Sequence, residues 1–502
     1  MKKILYVGFG ISPVMSGGAI LYQEWLAEEM SSRGYEVVCF FGIPYDKLEF
    51  PFKPYLKIWE KNKVKYIVLY NSPNFPHYLT PPAGQCHNSQ IEKLMRLVIR
   101  KEKPGLIHFH ELQMHTASVI DVAAESSIPS VKMIHNYYDI CPERDLMFKG
   151  KEPCTDYENG ERCKDCLNIL VKRKTFSKML ADALYSIFVV PLPRRLYKPL
   201  SYIFHCIGKY KNTFLSPLDL LHKSEQLGLQ KSPDISDKSH RRRRFSCKIK
   251  GTSSLKKETT GEVSAPVTGD FSGRRKYFID RLNRLSAVQC SSARSAEIMT
   301  GYGVNKDKIR IIFPSSKPAD GIRSKPLRGR GYPVVFGYVG GKSEAKGLNV
   351  LTEAFSLLEQ TKAKLIIWTP EKDIIVPEGA NIEVRKPYKT DEMEKVFSGL
   401  DVGVMPSIWE EAFGLIGVEW LKAKIPVIGS RIGGIPEWLK DGENGYLVKP
   451  NNAAELSEKM DIFVKNPENI GKMQEKMKPW KSFAEHADEM VLLYEELSAK
   501  RE

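Results

Sequence analysis

Short apolar runs, separated by stretches of helical period, most constrain what this chain can fold into. In the first 140 residues such runs stand at 4–8, 36–41, 66–70, 106–109 and 131–135. Runs apolar on both faces suit strands buried between two layers, as in a parallel sheet. Between the first two, Leu21 and Trp25, then Tyr22, Leu26 and Met30, recur at helical spacing. The rhythm returns at 287–290 and 308–313, and again at 333–339, 364–368, 381–384, 402–405 and 426–428. Strand–helix alternation of this kind predicts an α/β protein with two Rossmann-like doubly wound parallel-sheet lobes.

A chain of 502 residues exceeds what one core holds. The first lobe is predicted over 1–166 and returns over 277–313. A Pro-, Gly- and Ser-containing linker covers 314–332, the second lobe 333–480, and a helix 481–502, where Phe483, Met490, Leu493, Tyr494 and Leu497 recur.

The remaining segment, 167–276, carries the charge. Residues 167–284 hold 25 Lys/Arg against 9 Asp/Glu, a surplus equal to the whole-chain net charge of +16. Its first part mixes cations with Phe176, Leu180, Leu184 and Tyr197, which suits an interfacial stretch on an anionic membrane surface. Its second part contains Arg241 to Arg244 in a Ser/Lys-rich background that reads as disordered. A solvated insertion without a partner is the alternative. Few aromatics interleave with these cations, so a nucleic-acid partner is not expected. No apolar run reaches the roughly 20 residues of a spanning helix. Lys2 and Lys3 precede a run broken by Gly8, Gly10 and Pro13, which reads as a first strand rather than a signal peptide. The expected location is the cytoplasm, peripheral on the inner face of the membrane where the basic segment attaches.

The strongest chemical signal is the stretch from Pro406 to Glu419, PSIWEEAFGLIGVE. Glu411 and Glu419 are separated by seven residues directly after a buried strand. If a helix begins near Phe413, its amides at Phe413, Gly414 and Leu415 offer donors and a positive dipole end to a phosphate. The two carboxylates then reach two parts of one elongated ligand, Glu419 about 12 Å beyond Glu411 at ~1.5 Å per residue. Lys346, in the strand–Gly loop–helix stretch 337–347, is a cation at a helix start, where it opposes the dipole unless an anion is shared there. Gly17 and Gly18 allow close backbone approach after the first strand. His135 closes the run 131–134 at a strand's carboxyl end, where open α/β sheets bind ligands.

Residues 401–450 resemble glycosyltransferase family 4, nucleotide-sugar-dependent enzymes of the GT-B fold. The match takes in the E-x7-E pair, Pro426-Val427, the stretch Gly433-Gly434-Ile435-Pro436-Glu437, and Asn444-Gly445. The resemblance implies two lobes with a deep cleft between them and a retaining transfer that needs no metal. It implies that Glu411 contacts the transferred sugar, Glu419 the donor ribose and Lys346 the diphosphate. Gly17 and Gly18 would lie near the diphosphate and acceptor, and His135 would face the donor sugar. The family's usual arginine after the loop glycine is replaced by Gly341, with Lys342 as the available substitute. The implied activity is transfer from a UDP- or GDP-sugar to a saccharide or lipid-linked acceptor, in polysaccharide or glycolipid biosynthesis. The rival readings are a sugar-nucleotide epimerase or hydrolase of the same fold, and a basic non-catalytic scaffold on nucleic acid or membrane.

Cys141, Cys154, Cys163 and Cys166 cluster after His135 and end in C-x2-C, which suits a structural zinc site of four thiolates. Uncoordinated thiols or a redox pair are the alternatives.

Overall fold

The computed structural model describes residues 3–15, 17–43, 54–72, 74, 82–154, 157–173, 270–322 and 333–499. The expectations placed on 174–269, the arginine run and the membrane-attaching stretch among them, lie outside the described residues.

The first lobe contains β1 (Lys3–Phe9), β2 (Glu36–Gly42), β3 (Tyr55–Lys61), β4 (Val64–Tyr70), β5 (Leu106–Phe109) and β6 (Ser130–Ile134). A small hairpin, β7 (Met147–Phe148) and β8 (Glu152–Pro153), follows, and then β9 (Ala287–Cys290) and β10 (Ile309–Ile311). Eight of these form one sheet in the order β10-β9-β6-β5-β1-β2-β4-β3. All neighbours are parallel except β3 and β4. The sequence reading missed β3 because it is an edge strand whose Lys57, Glu60 and Lys61 leave no continuous apolar run.

Period-2 alternation sends neighbouring residues to opposite cores. Leu5 and Val7 join the layer of helices Ser89–Glu102 and Phe271–Leu282. Ile4 and Tyr6 join the layer of Gly18–Ser32 and Phe483–Ala499. One boundary therefore differs from expectation. The helix at Phe271, its first turn capped by Asp270, puts 271–276 with the first lobe, and its Arg274, Arg275 and Arg281 are buried there. The C-terminal helix crosses back to the first lobe, where Tyr494 Oη meets Tyr6 Oη at 3.1 Å and His108 Nδ1 at 2.7 Å.

The second lobe is a six-stranded parallel sheet of β11 (Val334–Val339), β12 (Ala363–Trp368), β13 (Ile382–Arg385), β14 (Val402–Met405), β15 (Val427–Ser430) and β16 (Gly445–Val448). Its order is β13-β12-β11-β14-β15-β16. The chain builds outward from β11 in one direction and from β14 in the other. The crevice at their carboxyl ends is thus the topological switch point, where such sheets bind ligands. In the first lobe the same reversal falls between β1 and β5.

Two crossings join the lobes and hold each other. Trp480 Nε1 donates to Pro314 O at 3.1 Å, Ser315 Oγ to Lys481 O at 2.8 Å, and Phe483 N to Asp320 Oδ2 at 2.8 Å. No described helix is long and apolar enough to cross a membrane.

Tyr494→Phe should lower the unfolding free energy by about 1–3 kcal/mol, because it removes a partner from the buried groups of Tyr6 and His108. Urea unfolding followed by far-UV circular dichroism checks this; an unchanged midpoint would contradict it.

Candidate functional site

The site is built by two loops at the second lobe's switch point. After β11 the chain turns through a short 3-10 segment, Glu344–Lys346, into Gly347, whose φ of 70° is left-handed. A side chain on Gly347 would overlap the Pro406 carbonyl at the end of β14, so only glycine lets the loops touch. Ile408 N then donates to Ala345 O at 2.8 Å. This contact puts Lys346 Nζ 2.5 Å from Glu411 Oε1, with Ser407 Oγ donating to the same oxygen at 3.1 Å. Glu411 is only 5% exposed. Lys346 also lies over the Trp409 ring, 4.8 Å from its centroid.

The helix after Glu411 spans Leu415–Lys422, two residues later than expected, with Gly414 at φ 90° as its N-cap. Residues 411–414 are therefore not helical, and the rise-per-residue estimate applies only from Leu415 onward. Phe413 is buried, and its carbonyl accepts from Trp438 Nε1 at 2.8 Å. Glu411's own backbone is clamped by the glycine pair downstream: Gly434 N donates to Glu411 O at 2.7 Å, and a side chain on Gly433 would overlap it.

Glu419 is buried within the same helix and accepts from Ser316 Oγ at 2.7 Å. Burial pushes its carboxyl up to about 7, against the opposing pull of Ser316 and Lys422. Lys422 Nζ in turn donates to Ser315 Oγ at 2.8 Å and Ser316 O at 3.2 Å, holding the start of the linker against this helix. Lys342, the substitute cation, instead reaches the carbonyl of Asp373 at 3.5 Å, and the Glu371 carboxylate stands 3.3 Å from where a Gly341 side chain would begin.

From the first lobe, the Gly17-Gly18 turn faces this helix: a methyl on Gly18 would lie 3.6 Å from Leu415 Cδ1. His135 follows β6 and is partly exposed. Its Nε2 is 3.2 Å from His110 Nδ1, and Tyr22 packs edge-on at 5.3 Å between ring centroids. Burial, then the Lys132 charge, holds its imidazole down at about 3, so the ring is neutral at ordinary pH.

Several partners escaped the sequence reading. Ser316 lies in a linker with no motif, and His110, behind His135, lies in none either. Arg294, at the start of the first-lobe helix Ala293–Gly301, forks onto Glu410 through Nε at 3.2 Å and Nη2 at 2.8 Å. Glu437 accepts from Ala293 N at 2.8 Å and Arg294 N at 3.3 Å. The lobes are thus tied beside Glu411. The adjacency of Glu410 to Glu411 and the place of Glu437 after the glycine pair were its signals in the sequence.

Residues 323–480 match the family model for glycosyl transferases group 1. The architecture is GT-B. Sucrose-phosphate synthase from Thermosynechococcus elongatus superposes with a TM-score of 0.57 at 14% identity, covering 100% of both chains. Anabaena HepE, in complex with UDP and glucose, gives 0.54 at 13% identity over 99% of this chain and 100% of that one. D-inositol 3-phosphate glycosyltransferase of Streptomyces scabiei is 25% identical over 246 residues, which is 44% of this chain and 53% of the relative. The chain thus spans about half the length of that curated relative. The matched family segment contains Lys346, Glu411 and Glu419, whereas Gly17, Gly18 and His135 belong to the other lobe.

Glu419 gives the site a pH signature. Its carboxyl titrates at about 7 when folded, against an ordinary 4.5. Between those values the folded chain keeps a proton that the unfolded chain releases, so stability falls as pH rises. The contribution is complete below ~4.5 and lost on passing ~7, amounting to a few kcal/mol at ~1.4 kcal/mol per pKa unit. Between about pH 5 and pH 8, the melting temperature of wild type should fall relative to Glu419→Gln, which cannot ionise. Parallel melting curves across that range would refute this.

Proposed function

We propose that this chain transfers a glycosyl group from a nucleoside-diphosphate sugar to an acceptor hydroxyl, with retention of configuration. The observation that carries the reading is the Lys346–Glu411 pair beside the Gly414 helix start at the switch point. A cation and free helix-start amides suit a diphosphate, and a carboxylate within reach suits sugar hydroxyls. As the anomeric C–O bond to the diphosphate breaks, negative charge gathers on the leaving group, where Lys346 and the amides at Gly414 and Leu415 offset it. The acceptor oxygen bonds to the anomeric carbon and its proton is released. Glu411 exchanges its lysine for sugar hydroxyls, His135 offers a neutral imidazole to the sugar from the opposite lobe, and Glu419 takes the ribose hydroxyls from Ser316. Gly17 and Gly18 leave room for the diphosphate and acceptor. The complex of HepE with UDP and glucose supports a uridine nucleotide as the first donor to try.

Assay of nucleoside-diphosphate release over a panel of UDP- and GDP-sugars tests the reading. Glu411→Ala and Lys346→Ala should each lower turnover by about 10²-fold or more. Glu419→Ala should chiefly weaken donor binding. Near wild-type turnover in both of the first two variants would overturn the assignment.

We propose further that the basic segment holds the enzyme on the cytoplasmic face of an anionic membrane, near a lipid-linked or saccharide acceptor. The support is compositional: residues 174–269 hold 18 Lys/Arg against 7 Asp/Glu, interleaved at first with Phe, Leu and Tyr. Flotation with phosphatidylserine-containing liposomes should weaken at high salt and drop when 174–269 are deleted. Equal flotation with and without the segment would refute it.

A further inference from the structure

Two buried arginines, Arg275 against Cys163 and its chain neighbour Arg274, have no carboxylate partner among the described residues. Arg274 is 0% and Arg275 6% exposed. Arg274 donates to Gln85 Oε1 at 2.6 Å and Tyr138 O at 2.7 Å, and packs over the rings of Tyr138 and Phe278. Arg275 donates to Ile140 O at 2.6 Å and lies over the Tyr157 ring at 3.3 Å, with its Nη2 4.0 Å from Cys163 Sγ. The Nη1 of each is buried with no partner, and neither meets a carboxylate among the described residues. An uncompensated buried ion costs several kcal/mol, and neutral thiols do not offset it.

Cys141, Cys154, Cys163, Cys166 and Arg275 line one cavity of about 20 Å³, room for a single small species. The cysteines come from three segments: the loop after β6, the residue after β8, and the helix Glu161–Arg173. None of them is in a disulfide. Their sulfurs surround the cavity without converging on ligand spacing, and no three metal-ligating side chains among the described residues do so.

We propose that Cys141, Cys154, Cys163 and Cys166 bind one zinc ion as four thiolates, with Arg274 and Arg275 balancing its charge. Four thiols lose their protons, the sulfurs draw in to about 2.3 Å from the ion, and the complex carries two negative charges. Two guanidinium ions neutralise them. The ion would tie the loop after His135 to the helix Phe271–Leu282. It would also fix the hairpin β7–β8, whose Met147 is buried in the second lobe's core with Ala345 and Ile408. The site is structural, and it stands or falls apart from the glycosyl-transfer reading.

The test uses the full chain purified without chelator and kept reduced. Elemental analysis should find about one zinc per chain. Exchange with cobalt should give the visible bands of tetrahedral coordination and the near-ultraviolet charge transfer of thiolate ligands, a readout that needs no variant. Cys163→Ser with Cys166→Ser should abolish both signals. Arg275→Met should weaken zinc about 10- to 100-fold in competition with a chelator. Folded, reduced wild-type protein that takes up neither zinc nor cobalt overturns the site. So does retention of both signals by the double cysteine variant. Unchanged affinity in Arg275→Met overturns the charge balance.

Discussion

The carbonyl of Pro406 occupies the space where Gly347 would carry a side chain, and the arrangement of the second lobe's site depends on that contact. Parallel pairing sets β11 beside β14, and reversal of strand order between them leaves their following loops with no helix to separate them. The loops close on each other through the Ala345 carbonyl, and the cation of one then meets the carboxylate of the other. A bulkier residue at 347 would push Lys346 away from Glu411 and the Gly414 helix start together.

The two acids of the motif are satisfied in different ways, which gives them different chemistry. Glu411 has a full positive charge against it and a hydroxyl at the same oxygen. Among the described residues Glu419 has only the Ser316 hydroxyl within hydrogen-bond reach, and burial raises its carboxyl to about 7.

The lobes are coupled by unlike interactions. The two chain crossings bond to each other, the C-terminal helix buries its apolar face in the first lobe, and Arg294 with Glu410 and Glu437 ties the rims beside Glu411. The last is polar and partly exposed, so solvent and salt weaken it more readily than the buried contacts.

Much of this was legible in the amino-acid order. Apolar runs locate twelve of the sixteen strands, missing β3, the β7–β8 hairpin and the four-residue β16, because most strands buried on both faces show a continuous apolar run, and E-x7-E with its glycines marks the loop and helix start at the second lobe's switch point. The half-exposed β3, the linker serine under Glu419, the histidine behind His135 and the return of the C-terminal helix left no such trace. Each depends on which distant segments pack together, and local periodicity does not encode that. Arg275 shows the difference most plainly: in sequence it is one more cation in a basic segment, while in the fold it is buried beside four thiols. The sequence alone determined the strand–helix rhythm and the chemical inventory of the site; tertiary structure decided which charges face solvent and which must be neutralised, because only burial makes an unpaired charge costly.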